Sequence, residues 1–195
     1  MKPAVVKVIT PLCRLLLKIG ITPDMMTIFG TSIVVLGSWL LLAQGKLVAA
    51  FWIIGLALLT DLLDGTMARI SQRGASVWGN FLDSTLDRIS DAAVLIGLSY
   101  FLYKQQDSLF VVSMITIAVS ALVPYARAKA ESLNIQCQGG FAERSERLLI
   151  LGFFGLLHIF GFSWALDFGV WILLTLSTVT VYQRMAIVRK ATRGS

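Results

Sequence analysis

Residues 47–70 have the sequence LVAAFWIIGLALLTDLLDGTMARI, in which a long uncharged run leads into two aspartates, Asp61 and Asp64. The stretch exceeds the roughly 20 residues that a helix needs to cross a hydrocarbon core of about 30 Å. It therefore predicts a transmembrane helix that carries carboxylates close to one of its ends. A fold built around such a helix is expected to lie in a membrane.

The whole chain has the composition of a membrane protein. Of its 195 residues 56% are hydrophobic and 14% are charged, whereas a soluble domain is nearer half apolar and about a quarter charged. We expect an all-α integral membrane protein with an amphipathic surface helix in the juxtamembrane segment 1–20 and six transmembrane helices in one membrane domain, 21–193. The six spans are predicted at about 25–43, 47–70, 77–103, 109–131, 142–160 and 165–189.

The distribution of basic residues predicts the orientation. With these spans, 15 of the 17 lysines and arginines lie on one side, and only Lys46 and Lys104 lie on the other. The positive-inside rule makes the first side cytoplasmic, so both termini of this multi-pass cell-membrane protein are expected there. A net charge of +6 does not indicate nucleic acid, because the cations sit at span ends without an aromatic-studded basic face. Cys13 and Cys137 lie on the cytoplasmic side, where thiols stay reduced.

Two pairs of aspartates are predicted to meet just inside the cytoplasmic boundary. Asp61 and Asp64 are spaced i,i+3 on span two, and Asp83 and Asp87 are spaced i,i+4 on span three, so each pair shares one helical face. At about 1.5 Å per residue, all four lie about 21–30 Å from the outer ends of their spans. Each intramembrane charge costs roughly 2.5–3.5 kcal/mol on insertion scales, so a neutralising partner is needed. Two divalent cations would balance four carboxylates, and hard oxygen ligands favour Mg²⁺ or Mn²⁺.

Other interpretations of the aspartates remain open at this stage. They could form a polar seam of protonated or salt-bridged side chains between helices, or mark the ion pathway of a transporter. The clustering of the acids at one side and the lack of an inverted repeat disfavour a transporter. The small residues Gly65, Ala68 and Gly79 border the carboxylates, where they allow either close helix packing or room for a nucleotide.

Two motifs resemble one enzyme family. Residues 61–69 and 79–87 have the sequences D-L-L-D-G-T-M-A-R and G-N-F-L-D-S-T-L-D. They are similar to the signature D-x-x-D-G-x-x-A-R followed by G-x-x-x-D-x-x-x-D of the CDP-alcohol phosphotransferases, with all eight fixed positions matched. Nine residues separate Arg69 from Gly79, where eight is the commoner spacing. The six-span layout extends the resemblance along nearly the whole chain.

The resemblance implies a homodimer with a polar cavity open to the cytoplasm and two metal ions per active site. The metal ligands would be Asp61, Asp64, Asp83 and Asp87. The CDP headgroup of CDP-diacylglycerol would contact Asp61, Asp64, Gly65, Ala68, Arg69 and Gly79. Asp87 is the candidate catalytic base for the acceptor hydroxyl. Thr27 faces the nucleotide by the same analogy, although a hydroxyl bonded to its own helix backbone explains it equally well.

A cluster of cations indicates a phosphorylated acceptor. Its members on spans four to six are Arg127, Lys129, Arg144, Arg147 and Arg184. Each could be an ordinary positive-inside flank, but guanidinium groups also bind phosphate dianions through paired donors. Near a metal site the second interpretation predicts an acceptor-phosphate site.

Within the family, residues 124–131 and 139–148 are most similar to the bacterial, actinobacterial-type phosphatidylinositol-phosphate synthases, with G-G-F-x-E-R-x-E-R-L intact. Pro124 stands where that group has serine, and Arg127 and Lys129 are in swapped order. The resemblance implies transfer of phosphatidyl from CDP-diacylglycerol to inositol 1-phosphate, giving phosphatidylinositol phosphate and CMP. Glycerol 3-phosphate is the alternative acceptor, as in a phosphatidylglycerolphosphate synthase.

Overall fold

The protein is α-helical throughout the part of the chain that its computed structural model describes, residues 3–71, 76–137, 139–140 and 143–193. The helices are α1 (Pro3–Lys18), α2 (Pro23–Gly37), α3 (Leu47–Leu58), α4 (Thr60–Ile70), α5 (Val77–Lys104), α6 (Leu109–Ser132), α7 (Arg144–Ile159) and α8 (Trp164–Thr192). A π-helical turn, Ser38–Leu42, continues α2. Three predicted features lie outside the described residues: residues 72–75 of the polar break between spans two and three at 71–76, the start of span five at Ala142, and the side chain of Lys7.

Local sequence signals explain several helix ends. Thr22 caps α2 by accepting a hydrogen bond from the Met25 amide at 3.3 Å, and Pro23 occupies the first helical turn, where its missing N–H costs nothing. Gly20 and Gly45 have positive φ angles of 88° and 76°, a conformation that glycine adopts without a steric penalty, and each lies in a turn that precedes the next helix.

Four helical segments in the described residues are long and apolar enough to cross a bilayer. They are Pro23–Leu42, Leu47–Ile70, Leu109–Ser132 and Trp164–Thr192. Two of the six predicted spans do not reach this standard. α5 is 28 residues long but carries Asp83, Asp87 and Asp91, and α7 has only 16 residues. An apolar core of about 30 Å favours uncharged helices of roughly 20 residues.

The chain forms two compact units, Met1–Val94 and Leu95–Ser195, and the division falls within α5. In the first unit α2 packs on α3 and α4, and α1 packs on α4. The Cys13 thiol is fully buried and lies 3.6 Å from the carbonyl oxygen of Leu63. Burial raises the pKa of this thiol, so it stays protonated at neutral pH.

In the second unit α8 packs against both α6 and α7. Small hydroxyl residues bond between helices of this unit: Ser120 of α6 pairs with Ser177 of α8 at 3.3 Å, and Ser113 of α6 donates to Ser99 of α5 at 2.8 Å. Small side chains allow membrane helices to approach, and their hydroxyl groups bond across the interface. α6 continues through Pro124 to Ser132.

Candidate active site

The two aspartate pairs lie in the first unit, on α4 and α5. Asp64 is the most enclosed of the four, with 6% of its surface exposed, while Asp61, Asp83 and Asp87 are half-buried. The carboxyl groups of Asp61 and Asp83 lie within electrostatic range of Asp64. Acidic side chains from both motifs are therefore present in one compact unit.

Thr27 of α2 provides a hydrogen-bond donor for Asp64. The Thr27 hydroxyl oxygen lies 2.8 Å from Oδ2 of Asp64 and 3.1 Å from the carbonyl oxygen of Pro23. One hydroxyl proton serves these two acceptors, and the carboxylate is the nearer. The sequence allows the Thr27 hydroxyl to bond its own helix backbone, and that bond is present. The same hydroxyl also contacts Asp64 of the first motif.

Small residues on α2 set the register of this contact. Gly30, one turn after Thr27, lies against Thr60, so that a Cβ atom at position 30 would stand 2.0 Å from the Thr60 hydroxyl oxygen. Farther along, Gly37 lies against Ile54, where an added Cβ would be 3.1 Å from the nearest side-chain atom. α2 can approach α3 and α4 closely because these positions lack side chains.

The predicted span 47–70 is present as a helical segment with one interruption. α3 ends at Leu58, Leu59 interrupts the helix, and α4 begins at Thr60 immediately before Asp61. The Thr60 hydroxyl donates to the carbonyl oxygen of Ala57 at 2.6 Å, an i−3 side-chain bond that spans the interruption. The hydrophobic pattern does not reveal this break, because Leu59 and Thr60 are both compatible with a helix.

The four carboxylates have the right chemistry for a divalent metal, but their oxygens do not converge on a single metal position. All four are hard oxygen donors, and Asp64 is a buried anion, which needs compensating charge or hydrogen bonds. Among the described residues, no three His, Cys, Asp or Glu side chains converge closely enough to hold an ion as placed. The donor set fits Mg²⁺ or Mn²⁺, and side-chain rotation would be needed to complete coordination.

The predicted CDP-binding residues occupy α4 and the start of α5. A Cβ atom added at Gly65 would meet only Nη2 of Arg69, at 3.8 Å. Nε of Arg69 donates to the Gly65 carbonyl oxygen at 3.0 Å. Ala68 lies half-buried on the same helix. Gly79 is more crowded, since an added Cβ would be 3.3 Å from Oδ1 of Asp24 and 3.0 Å from the Ser76 hydroxyl. The sequence indicates Asp24 only as a helix-start residue, so its place beside Gly79 is a finding of the structure.

The predicted acceptor-phosphate residues all lie in the second unit. Lys129 and Arg127 are exposed near the end of α6, and Nε of Arg127 forms an ion pair with Glu131 at 2.8 Å. A solvent-exposed i,i+4 pair contributes only about 0.3–0.5 kcal/mol. The Arg127 guanidinium can therefore leave Glu131 at little cost when an anion of higher charge is present.

Two of the other cations are unusually enclosed. Arg147 is 8% exposed and Arg184 is 3% exposed, whereas Arg144 is half-buried. Nε of Arg184 donates to the carbonyl oxygen of Gly139 at 3.3 Å, and its Nη1 donates to that of Val123. An exposed positive-inside flank does not require this burial, so the enclosure of these two residues favours a binding or structural role.

A capping box determines where α7 begins. The Glu143 side chain accepts from the backbone of Glu146, and the Glu146 side chain accepts from the Glu143 amide at 2.8 Å. This reciprocal pair satisfies helix N–H groups that would otherwise lack partners. The E-R-x-E-R segment thus uses its glutamates for the cap and presents Arg144 and Arg147 from the first turn.

Comparison with known proteins identifies the family. The model of the CDP-alcohol phosphatidyltransferase family matches residues 20–183, most of the chain and both aspartate motifs. The chain belongs to this family. The resemblance drawn from the two motifs is thereby confirmed, and the protein is a membrane transferase.

Relatives in the CDP-alcohol phosphatidyltransferase family are similar along almost their full length. The phosphatidylinositol phosphate synthase of Mycobacterium tuberculosis is 38% identical over 94% of this chain and 87% of its own. That of Cutibacterium acnes is 38% identical over 95% of this chain and 94% of its own. The similarity covers both compact units.

Solved structures agree with the fold. A crystal structure of the Mycobacterium tuberculosis phosphatidylinositol phosphate synthase with CDP-DAG bound has a TM-score of 0.87 and 38% identity, covering 93% of this chain and 94% of that one. A crystal structure of the same enzyme in complex with manganese and citrate has a TM-score of 0.85 and 38% identity, covering 92% and 88%.

Proposed function

We propose that this enzyme transfers the phosphatidyl group of CDP-diacylglycerol to inositol 1-phosphate, producing phosphatidylinositol phosphate and CMP. The observation that carries the proposal is the family's double aspartate motif, with its buried Asp64, in a chain 38% identical to phosphatidylinositol phosphate synthases over nearly its whole length. Glycerol 3-phosphate remains the alternative acceptor to be tested.

The proposed donor site lies on α4 and α5. Asp61, Asp64, Asp83 and Asp87 would hold two Mg²⁺ or Mn²⁺ ions, a proposal supported by the all-oxygen donor set and by the manganese complex of a relative. When bound, such ions neutralise the pyrophosphate and stabilise charge on the CMP leaving group.

The remaining proposed donor contacts surround these carboxylates. The CDP headgroup would contact Asp61, Asp64, Gly65, Ala68, Arg69 and Gly79. Thr27 keeps Asp64 oriented through its hydrogen bond. A carboxylate fixed in this way needs less reorganisation when its ligands arrive.

Chemistry at the acceptor requires removal of one proton. The acceptor hydroxyl oxygen attacks the phosphorus that bears diacylglycerol, the new P–O bond forms as the bond to CMP breaks, and Asp87 takes the hydroxyl proton. A positioned carboxylate base contributes about 10²–10⁴-fold to such a step. The acceptor phosphate would be bound by Arg127, Lys129, Arg144, Arg147 and Arg184.

The wider arrangement belongs to the same proposal. The juxtamembrane segment 1–20 would lie at the membrane surface, and region 21–193 would form six spans, with α5 and α7 completing the set. Both termini and the reaction would be cytoplasmic, since the basic residues cluster on one side. The functional form would be a homodimer.

The test is CMP release by purified protein supplied with CDP-diacylglycerol and one acceptor at a time. Inositol 1-phosphate should support release, while glycerol 3-phosphate, inositol and serine should support far less. EDTA should abolish release, and added Mg²⁺ or Mn²⁺ should restore it. Release that requires glycerol 3-phosphate, or full turnover in metal-free buffer, would contradict the proposal.

A further inference from the structure

We propose that Arg184 fixes the Gly139–Gly140 turn against α8 and thereby positions the arginines at the start of α7 for acceptor binding. We call this set of contacts, made by Arg184, Thr180, Val123 and the two glycines, the Arg184 clasp. The inference rests on the proposed function and deepens it. It makes Arg184 a positioning residue, in addition to any direct contact with the acceptor.

The first observation is the use of the Arg184 guanidinium. It is 3% exposed and donates from Nε to Gly139 and from Nη1 to Val123, so it joins the turn to α6 from its own position on α8. A buried cation is tolerated only when polar groups compensate it. These two bonds use two of its five N–H donors, so the same side chain can still bind a phosphate.

The second observation is the close contact of the turn with α8. Gly140 has a φ angle of 128°, and a Cβ atom there would lie 2.4 Å from Cγ2 of Thr180, which is fully buried. Thr180 and Arg184 are spaced i,i+4, so they lie on one face of α8. The two glycines therefore contact α8 at two points one helical turn apart: Gly140 packs against Thr180, and Gly139 accepts a hydrogen bond from Arg184.

The third observation concerns α7, the next helix after the turn. α7 begins at Arg144, four residues after Gly140, and its start is set by the Glu143 capping box. Arg147, in the same first turn, is 8% exposed. Because Gly140 and Arg144 are only four residues apart in sequence, we expect a displacement of Gly140 to be transmitted to the start of α7 and its two arginines. A displacement of about 1 Å in a positioning element can reduce turnover on the order of 100-fold.

The decisive variant is Gly140→Ala, which changes neither charge nor any side-chain donor. Its Cβ atom would require the turn to move away from Thr180. Gly152→Ala in α7 is the matched control, because an added Cβ there meets no atom within 4 Å. Arg184→Lys is the second variant, since lysine keeps the positive charge but cannot donate to two carbonyl groups in a fixed fork.

Two measurements are made on each full-length variant. Steady-state CMP release gives kcat/KM separately for inositol 1-phosphate and CDP-diacylglycerol, and amide hydrogen exchange in detergent reports opening at residues 143–150. We expect Gly140→Ala and Arg184→Lys to lower kcat/KM for inositol 1-phosphate by about tenfold or more, with the donor value unchanged. Exchange at the start of α7 should be faster in both variants, and Gly152→Ala should match the wild type.

The outcomes separate this inference from the proposed function. Wild-type exchange and acceptor kinetics in Gly140→Ala and Arg184→Lys would overturn the clasp. If the wild type uses another acceptor, the proposed function fails, while exchange still decides the clasp. If Gly140→Ala is too unstable to purify, Arg184→Lys decides the clasp, because the φ angle of 128° at position 140 strains any side chain there. Wild-type exchange and acceptor kinetics in Arg184→Lys would then overturn it.

Discussion

A carboxylate buried in a membrane helix needs a compensating group, and Asp64 has one in the hydroxyl of Thr27. The contact is 2.8 Å long and both residues are 6% exposed. A hydrogen bond to a charged group contributes about 1.5–3 kcal/mol, so this bond can hold the carboxylate in one orientation. The aspartate itself is evident from its motif, but its partner is 37 residues away in sequence, and only packing of α2 on α4 identifies it.

We expect Thr27→Val to weaken metal binding. Valine keeps the shape of threonine but removes the hydroxyl, so Asp64 loses its oriented partner. Loss of a group that supports a metal ligand typically lowers affinity roughly 10- to 100-fold. The measurement is Mn²⁺ titration of purified protein followed by electron paramagnetic resonance.

Thr27→Ser should retain most of the affinity because it keeps the hydroxyl. Thr178→Val is the control, since the exposed Thr178 hydroxyl bonds only to Leu174 of its own helix among its described contacts. Equal Mn²⁺ affinity in Thr27→Val and the wild type would show that Thr27 does not orient a metal ligand.

Asp87→Asn should separate chemistry from binding. The amide cannot accept the hydroxyl proton as the carboxylate does, so CMP release should fall at least about 100-fold. Binding of CDP-diacylglycerol, measured by equilibrium titration, should remain detectable. Asp107→Asn is a matched control, because an amide oxygen can still accept the hydrogen bond that Asp107 receives from the Leu109 amide. Turnover above about a tenth of wild type would exclude Asp87 as the required base.

At the scale of the helices, the sequence predicts ends better than interruptions. Thr22-Pro23 indicates the start of α2 because a cap and a fixed φ angle are local properties. The interruption at Leu59 has no such signal, and Gly30 of α2, which packs against Thr60 beside it, is distant in sequence. For α7 the structure gives Arg144–Ile159, and the predicted start at Ala142 lies outside the described residues.

Gly30→Ala should disrupt the contact between α2 and the break. The new methyl group would lie 2.0 Å from the Thr60 hydroxyl oxygen, which is itself bonded to Ala57 at 2.6 Å and cannot rotate away without losing that bond. Overpacking of this kind costs about 1–3 kcal/mol. We expect a lower unfolding temperature in detergent and reduced CMP release.

Gly55→Ala provides the control in the same unit, because an added Cβ there meets no atom within 4 Å. Combining Gly30→Ala with Thr60→Ala should recover part of the lost stability, since the closest clashing atom is removed. A Gly30→Ala protein as stable and active as Gly55→Ala would mean that α2 tolerates a larger separation from α4.

At the scale of the whole molecule, the proposed donor residues belong to the first compact unit and the proposed acceptor residues to the second. The donor motif could be predicted from sequence because four carboxylates in apolar helices have few other uses. The acceptor cations are harder to assign, since arginines at span ends also follow from membrane topology. Burial distinguishes one acceptor cation from another: Arg147 is 8% exposed, whereas Arg127 is exposed and paired with Glu131.

Substitution of the α7 arginines should therefore affect one substrate more than the other. A charge-assisted contact contributes about 1.5–3 kcal/mol, so Arg144→Ala or Arg147→Ala should lower kcat/KM for inositol 1-phosphate roughly 10- to 100-fold. The value for CDP-diacylglycerol should change little. Lysine at either position should rescue only part of the loss, because an ammonium group keeps the charge without the planar pair of donors.

Arg189→Ala is the matched control for these substitutions, since Arg189 is an exposed arginine in the last turn of α8 and is not assigned to the acceptor. It should leave both kcat/KM values unchanged. An equal fall for donor and acceptor in Arg147→Ala would indicate damage to the helix packing around a buried side chain. If Arg144→Ala and Arg147→Ala both behave like Arg189→Ala, their positive charge serves membrane orientation and the acceptor phosphate binds elsewhere.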